Sequence, residues 1–219
     1  MSVASEFLFV RDWDFDQGAV PRFLSRFVNL FPDETYNLLL GRIDHAKHAR
    51  EDKQQWLRTF RLVHQNISFG GVPAEKRREL GRDCLSRLIA ADSADEYAEL
   101  FWDIAGYDES SLRLILDVAP KIDERGVQNI ATLLGKAVPR LAFTNTGFAR
   151  DLLAHFTGKN RERLVEAFAY QARRYGGGVY AGSPEDLMTQ QQKQFAEQMA
   201  AFPDESGLED LARTLRKFT

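Results

Sequence analysis

Hydrophobic positions recur at helical spacing through almost the whole chain. Val20, Phe23, Leu24, Phe27, Val28 and Phe31 fall on one face of a helix. Pro32-Asp33 ends that helix and opens the next, whose stripe is Tyr36, Leu39, Leu40 and Ile43, followed by an almost wholly polar stretch over 44–54. A third helix carries Trp56, Phe60, Val63 and Ile67. It stops at Ser68-Phe69-Gly70-Gly71-Val72-Pro73, where paired glycines permit positive φ and proline cannot continue a helix. Leu80, Cys84, Leu85, Leu88 and Ile89 predict a helix over 74–90. Ser93-Ala94-Asp95-Glu96, a capping box, opens another over 94–105 that Gly106 closes.

The most regular stretch is Asp108 to Leu141. Asp108-Glu109-Ser110-Ser111 opens a helix that buries Leu112, Ile115, Leu116 and Ala119, and Pro120-Lys121-Ile122-Asp123 turns the chain. A second helix from about Glu124 carries Val127, Ile130, Ala131, Leu134, Ala137, Val138 and Leu141, with Pro139 ending or kinking its last turn. Gly126 and Gly135 each cost this helix roughly 1 kcal/mol relative to alanine, so close neighbours on more than one side are expected. Further on, Thr144-Asn145 caps a helix with Phe148, Leu152 and Phe156. Gly158 breaks the chain, and Asn160 caps a helix with Leu164, Phe168, Ala172 and Tyr175. Ser183-Pro184-Glu185-Asp186 starts a helix with Met188, Phe195, Met199 and Phe202. The last stripe is Leu208, Leu211, Ala212, Leu215 and Phe218. Residues 7–15 are dense in apolar and aromatic side chains without helical spacing, which predicts a short strand or extended arm.

Three successive helix pairs, 74–105, 108–141 and 145–175, each span roughly 31 to 34 residues, and each leaves an apolar face that a neighbouring pair can cover. In this respect the chain resembles the HEAT/armadillo class, at the level of the fold and best over 74–175. It carries neither the Thr-Pro-Leu-His of ankyrin repeats nor the Trp-x-x-Leu-Gly of tetratricopeptide repeats. The resemblance implies an all-α fold, an α-solenoid of stacked antiparallel pairs with about 10 or 11 helices. An irregular all-α bundle is the competing arrangement. The chain then reads as a single repeat domain over 1–219: an arm (1–18), helix pairs (19–175), a Gly-rich loop (176–183) and C-terminal helices (184–219).

Composition changes this picture little. The 219 residues are 44% hydrophobic and 28% charged, ordinary for a folded chain and far from a disordered one. Sixteen phenylalanines against three methionines suggest wide, shape-specific packing between helices. A net charge of −3 weighs against gripping nucleic acid through many phosphates. A lone cysteine, Cys84, excludes an internal disulfide and reads as a buried, inert thiol. No apolar run reaches about 18 residues and no signal-peptide pattern opens the chain, so no membrane association and a cytoplasmic setting are expected.

Candidate chemistry is sparse. Asp12, Asp14 and Asp16 alternate as in a calcium loop, but Gln17 and Phe23 stand where such a loop needs Gly and Glu. His45 and His48 lie one turn apart with Asp44, Glu51 and Asp52 near them, but on the polar end of an amphipathic helix, so they read as exposed histidines and not as a metal site. No nucleophile–base pairing is visible, so no catalytic, cofactor-binding or metal-binding residue is assigned and no cofactor is expected. The loop Gly176-Gly177-Gly178-Val179-Tyr180-Ala181-Gly182 lacks the lysine and spacing of a phosphate loop and follows a helix rather than a strand. Arg173, Arg174, Tyr175, Gly176, Gly177, Gly178, Tyr180 and the helix start at Ser183 nevertheless form a candidate site for a partner or an anion. The basic clusters Arg77-Arg78 and Lys159, Arg161, Arg163 are interleaved with acids and read as solvated helix faces. The expected function is a non-enzymatic protein–protein interaction scaffold, whether complete or one section of a larger bacterial repeat protein. The alternative is a nucleic-acid-binding, base-modifying HEAT-like protein. It would expose Trp102, Tyr107, Tyr175 or Tyr180 beside a carboxylate such as Asp103 or Asp108.

Overall fold

The computed structural model describes residues 24–51, 67–137, 141–173, 197 and 200–217, with side chains undescribed at 45–51 and 171–173. Every regular element among the described residues is helical. In order these are α1 (Pro32–Glu51), α2 (Ala74–Ala90), α3 (Asp95–Ala105), α4 (Glu109–Val118), a 3-10 turn (Ala119–Lys121), α5 (Glu124–Lys136), α6 (Leu141–Thr144), α7 (Thr146–Ala154), α8 (Gly158–Arg173) and α9 (Glu209–Arg216). The predicted N-terminal arm, the Trp56–Val63 stripe, the Gly-rich loop and most of the helix after Ser183 lie outside the described residues. The chain divides into two compact units, Met1–Arg87 with Glu96–Ser111, and Leu88–Asp95 with Leu112–Thr219.

In the first unit Pro32 opens α1 with Asp33 and Glu34 in the first turn, where the helix dipole favours negative charge. Tyr36, Leu39, Leu40 and Ile43 are all buried, as the stripe predicts, together with Leu80, Cys84 and Leu85 of α2 and Ala98, Phe101 and Ile104 of α3. The buried ring of Tyr36 keeps a polar outlet: its hydroxyl donates to Asp83 at 2.7 Å, and Arg87 Nε donates to the same carboxylate at 2.7 Å. Arg42 is also fully buried, which the apolar pattern gave no reason to expect.

Two expectations here are corrected. Phe31 does not continue the buried stripe of Leu24 and Val28: the helix gives way to a turn at 28–30, so Phe31 is 42% exposed and stacks on Phe27 at 4.5 Å. Gly70 and Gly71 do not use positive φ. Space explains at least Gly71, where a Cβ would stand 2.5 Å from Asn29 Oδ1. Gly106, by contrast, closes α3 as predicted, with φ of +72° and its N–H donating to Trp102 O at 2.9 Å.

The second unit holds the stretch that was clearest in sequence. Asp123 caps α5, its carboxylate accepting from Gly126 N–H at 2.8 Å. Val127, Ile130, Leu133 and Leu134 are fully buried. α5 ends at Lys136, and Ala137 turns extended. Leu141 therefore belongs to the separate short helix α6 and not to the end of a longer α5. The stop falls ahead of Pro139, the residue expected from sequence to end or kink this helix. Asn145 stands at the start of α7 but makes no capping bond; its amide donates to Thr144 Oγ1 at 2.9 Å. α8 begins at Gly158 with φ of +53°, two residues before the predicted cap Asn160.

Two polar residues tie this unit together. Asn129, buried on α5, donates its side-chain amide to Leu88 O at 2.9 Å, Ile89 O at 3.1 Å and Ala91 O at 2.9 Å. Leu88 O and Ile89 O lie in the last turn of α2 and Ala91 O just past it, so a side chain 40 residues away helps to close that helix end. Arg125, one turn earlier, donates to Ala91 O at 3.2 Å and pairs with Asp92. Arg161 plays the corresponding part for α9. It forks onto Asp210 at 2.6 and 2.9 Å and also donates to Leu153 O and Gly207 O, each at 2.7 Å. Beneath that fork Leu208, Leu211, Ala212 and Leu215 are fully buried.

Candidate functional site

α5 and α8 pack closely in the second unit, and an open groove of about 440 Å³ runs along them. On the α5 side Gln128, Thr132 and Lys136 follow one another at four-residue spacing and so form one ridge. Its first member is Glu124, at the N-terminus of α5. Ala131 and Gly135 lie beside this ridge, and Ala167 faces from α8 with Arg163, Glu166 and Tyr170. The groove is kept open by small residues. A Cβ added at Gly135 would meet nothing within 4 Å, whereas one at Gly126 would strike Ile122 Cβ at 2.8 Å and Ile89 Cγ2 at 3.2 Å. The two glycines predicted to share one explanation therefore have two: Gly126 allows close packing, and Gly135 leaves space at the surface.

The electrostatics of the groove are mixed. Lys136 pairs with Asp95 at 3.3 Å and Arg163 with Glu124 at 3.8 Å. Both are long pairs whose carboxylates stay open to water, Asp95 at 61% and Glu124 at 75% exposure, so each contributes at most about 1 kcal/mol. Tyr170 stands at the groove 57% exposed, one of the few large hydrophobic side chains so placed among the described residues. A second groove of about 500 Å³ lies between α4 and α7, lined by Arg113, Asp117, Asp151 and His155 with Leu116 and Ala154. Among the described residues no group of three or more His, Cys, Asp or Glu could hold a metal ion.

The residues singled out from sequence fare unevenly. Arg173 closes α8, but its side chain lies outside the described residues, as do Arg174, Tyr175, Gly176, Gly177, Gly178, Tyr180 and Ser183. Trp102 is not presented to a ligand: it is 5% exposed and stacks on Tyr107 with ring centroids 4.6 Å apart. Asp108 serves as a helix cap. Its carboxylate accepts from Ser110 Oγ at 2.7 Å and Ser111 N–H at 2.9 Å, and these bonds, helped by the charge of Arg77, hold it below the usual carboxylate range. Arg161 does not belong to a solvated face, because it is the fork under α9. Cys84 is fully buried, and burial pushes its thiol well up, which removes it as a nucleophile at neutral pH.

Asp103 behaves differently. Burial, with Glu99 one turn away, raises its carboxyl to about 8 from 3.8. The folded protein therefore holds a proton there that the unfolded chain releases at lower pH, and stability falls as pH rises from 3.8 to about 8. Urea midpoints at about pH 6 and about pH 9 are expected to show this drop, and Asp103→Asn to flatten it. A profile that Asp103→Asn leaves unchanged would contradict the assignment.

Gln128, Thr132, Gly135, Lys136 and Tyr170 did not stand out in sequence as a site. The only signal was a row of polar residues opposite a clean apolar stripe, which any surface helix shows. Compared with known proteins, the chain matches no protein family, no curated protein and no solved structure. No helix among the described residues is long and apolar enough to cross a membrane.

Proposed function

We propose that this chain is a non-enzymatic protein-interaction scaffold, a HEAT/armadillo-like stack of helix pairs, and that a protein partner docks in the groove between α5 and α8. The observation that carries the reading is the open space at Gly135. Glycine costs a helix interior about 1 kcal/mol relative to alanine, and no neighbour within 4 Å of the missing Cβ accounts for it here. Tyr170 adds an exposed ring of the kind enriched at interfaces. The stacked arrangement is supported by the succession α2/α3, α4/α5 and α7/α8, each pair joined by a short connection. The Arg173–Ser183 segment remains a separate expectation carried by sequence alone. Nothing in the groove favours the nucleic-acid alternative, since its cations sit beside carboxylates.

Filling the groove tests this. Gly135→Trp places a large side chain into open space and should leave thermal unfolding intact. Affinity capture with the full chain should then recover a protein that the Gly135→Trp chain loses. Identical capture by both proteins would count against docking at this groove.

A further inference from the structure

The surface of α7 and α8 that carries α9 has the parts of a receptor for a helix. Arg161 Nη1 donates to Leu153 O of α7 at 2.7 Å, a bond that does not involve α9. Its own side of the contact therefore holds the guanidinium in place. Nε and Nη2 are left for the other side, where they meet both oxygens of Asp210 and the carbonyl of Gly207. Asp210 lies in the first turn of α9 and Gly207 just ahead of the helix. The fork thus reads a carboxylate at a helix start together with the carbonyl before it.

α9 itself behaves as a ligand would. It has 8 residues and no side-chain cap at Leu208. A helix shorter than roughly 12 residues is marginal alone in water, so α9 owes its form to its seat on α8. Leu208, Leu211, Ala212 and Leu215, at i, i+3, i+4 and i+7, are its fully buried anchors, the spacing of a helix laid in a groove. Ahead of it Phe202 meets Phe143 edge to face at 5.0 Å, and Arg150 pairs with Glu205 at 3.3 Å. We infer that this surface is a helix-binding site with α9 as its resident ligand, and that α9 of a second copy of this chain can take the seat in exchange. The second copy supplies every recognised feature by identity of sequence: the carboxylate for Arg161, the carbonyl before it and the four apolar anchors. A helix with a cation at the place of Asp210 would set like charge against Arg161. Arg161 and Asp210 keep 21% and 36% side-chain exposure, so water can take over their bonds as the resident lifts. An exchange of identical elements needs no new contact, which makes it a low-cost route to a dimer. None of these residues lines the groove between α5 and α8.

Two experiments on the full chain test this. In the first, Arg161→Asp and Asp210→Arg are made in separate chains. Each alone sets like charge against like charge, whereas exchange of α9 between the two restores an opposite pair in both seats. Mixing them should give a species of twice the mass in sedimentation equilibrium that neither variant forms alone. In the second, Leu211→Asp/Leu215→Asp disables the resident helix and leaves Arg161 in place. The probe is a fluorescent peptide of residues 201–217. It should bind this variant at least about tenfold more tightly than wild type, in which the seat is occupied. Adding Arg161→Met to the variant, or Asp210→Asn to the peptide, should cost that binding about tenfold or more. A mixture that stays at monomer mass overturns the proposal. So does a disabled variant that keeps its helices by circular dichroism yet binds the peptide no better than wild type does. Peptide binding indifferent to both Arg161→Met and Asp210→Asn also overturns it. Should the disabled variant lose its helices, the mixture alone decides.

Discussion

Arg161→Met is expected to cost about 3 kcal/mol and to release α9 from the second unit. Methionine keeps much of the aliphatic stem and removes the fork. Asp210 would then lose its partner, and Leu153 O and Gly207 O would lose their donor. The loss exceeds that of an ordinary surface ion pair because four hydrogen bonds of 2.6 to 2.9 Å converge on one side chain. Arg161→Lys keeps the charge but not the planar fork, and should recover only a minor part. Urea unfolding gives the free energy, and amide exchange at Leu211 and Leu215 locates it: both should exchange far faster in Arg161→Met while amides of α5 hold. The acid limit follows from Asp210. Burial alone pushes that carboxyl up, but the bonds and charge of Arg161 outweigh it and hold it below 3.8. Its contribution is therefore intact above that value and is lost as pH falls through the lower folded value.

The second large effect comes from one substitution made at two places on one helix. Gly126→Ala should destabilise by about 2 kcal/mol, because the added methyl must push Ile122 or Ile89 aside and the strain exceeds the gain in helix propensity. Gly135→Ala should stabilise by up to about 1 kcal/mol, since the methyl enters open space and the propensity gain is uncancelled. Thermal or urea unfolding of the two variants beside wild type checks the pair. Shifts of the same sign would show that the packing of α5 against Ile89 and Ile122, or the open face at Gly135, is misjudged.

These two glycines also show where a sequence stops being readable. Each sits inside the same amphipathic helix, and local context does not separate them. Ile122 is a near neighbour in sequence, but Ile89 reaches Gly126 only through the fold. What was legible depended on local periodicity. The stripe Val127, Ile130, Leu134 is buried as read, as are Tyr36, Leu39 and Ile43, and Leu211 with Leu215. The helix start at Asp108, closed by a side chain within three residues, was legible for the same reason, whereas Asp123 was read only as the end of a turn and proves to cap α5. Asn129 and Arg161 were not, because their partners lie 40 and 49 residues away and both look like ordinary surface residues of a polar helix face. Phe31 was misread because the period was carried past the turn at 28–30. The groove itself was illegible, because it is defined by what stands beside α5 rather than by any motif along it.

The most direct measurement of the docking claim is photo-cross-linking from Thr132, with a photoreactive amino acid at that one position of the full chain and mass spectrometry of the products. Thr132 lines the groove on the α5 ridge. The account predicts a discrete protein adduct that disappears when Gly135→Trp fills the groove. No adduct from Thr132, or one that survives Gly135→Trp unchanged, would contradict it.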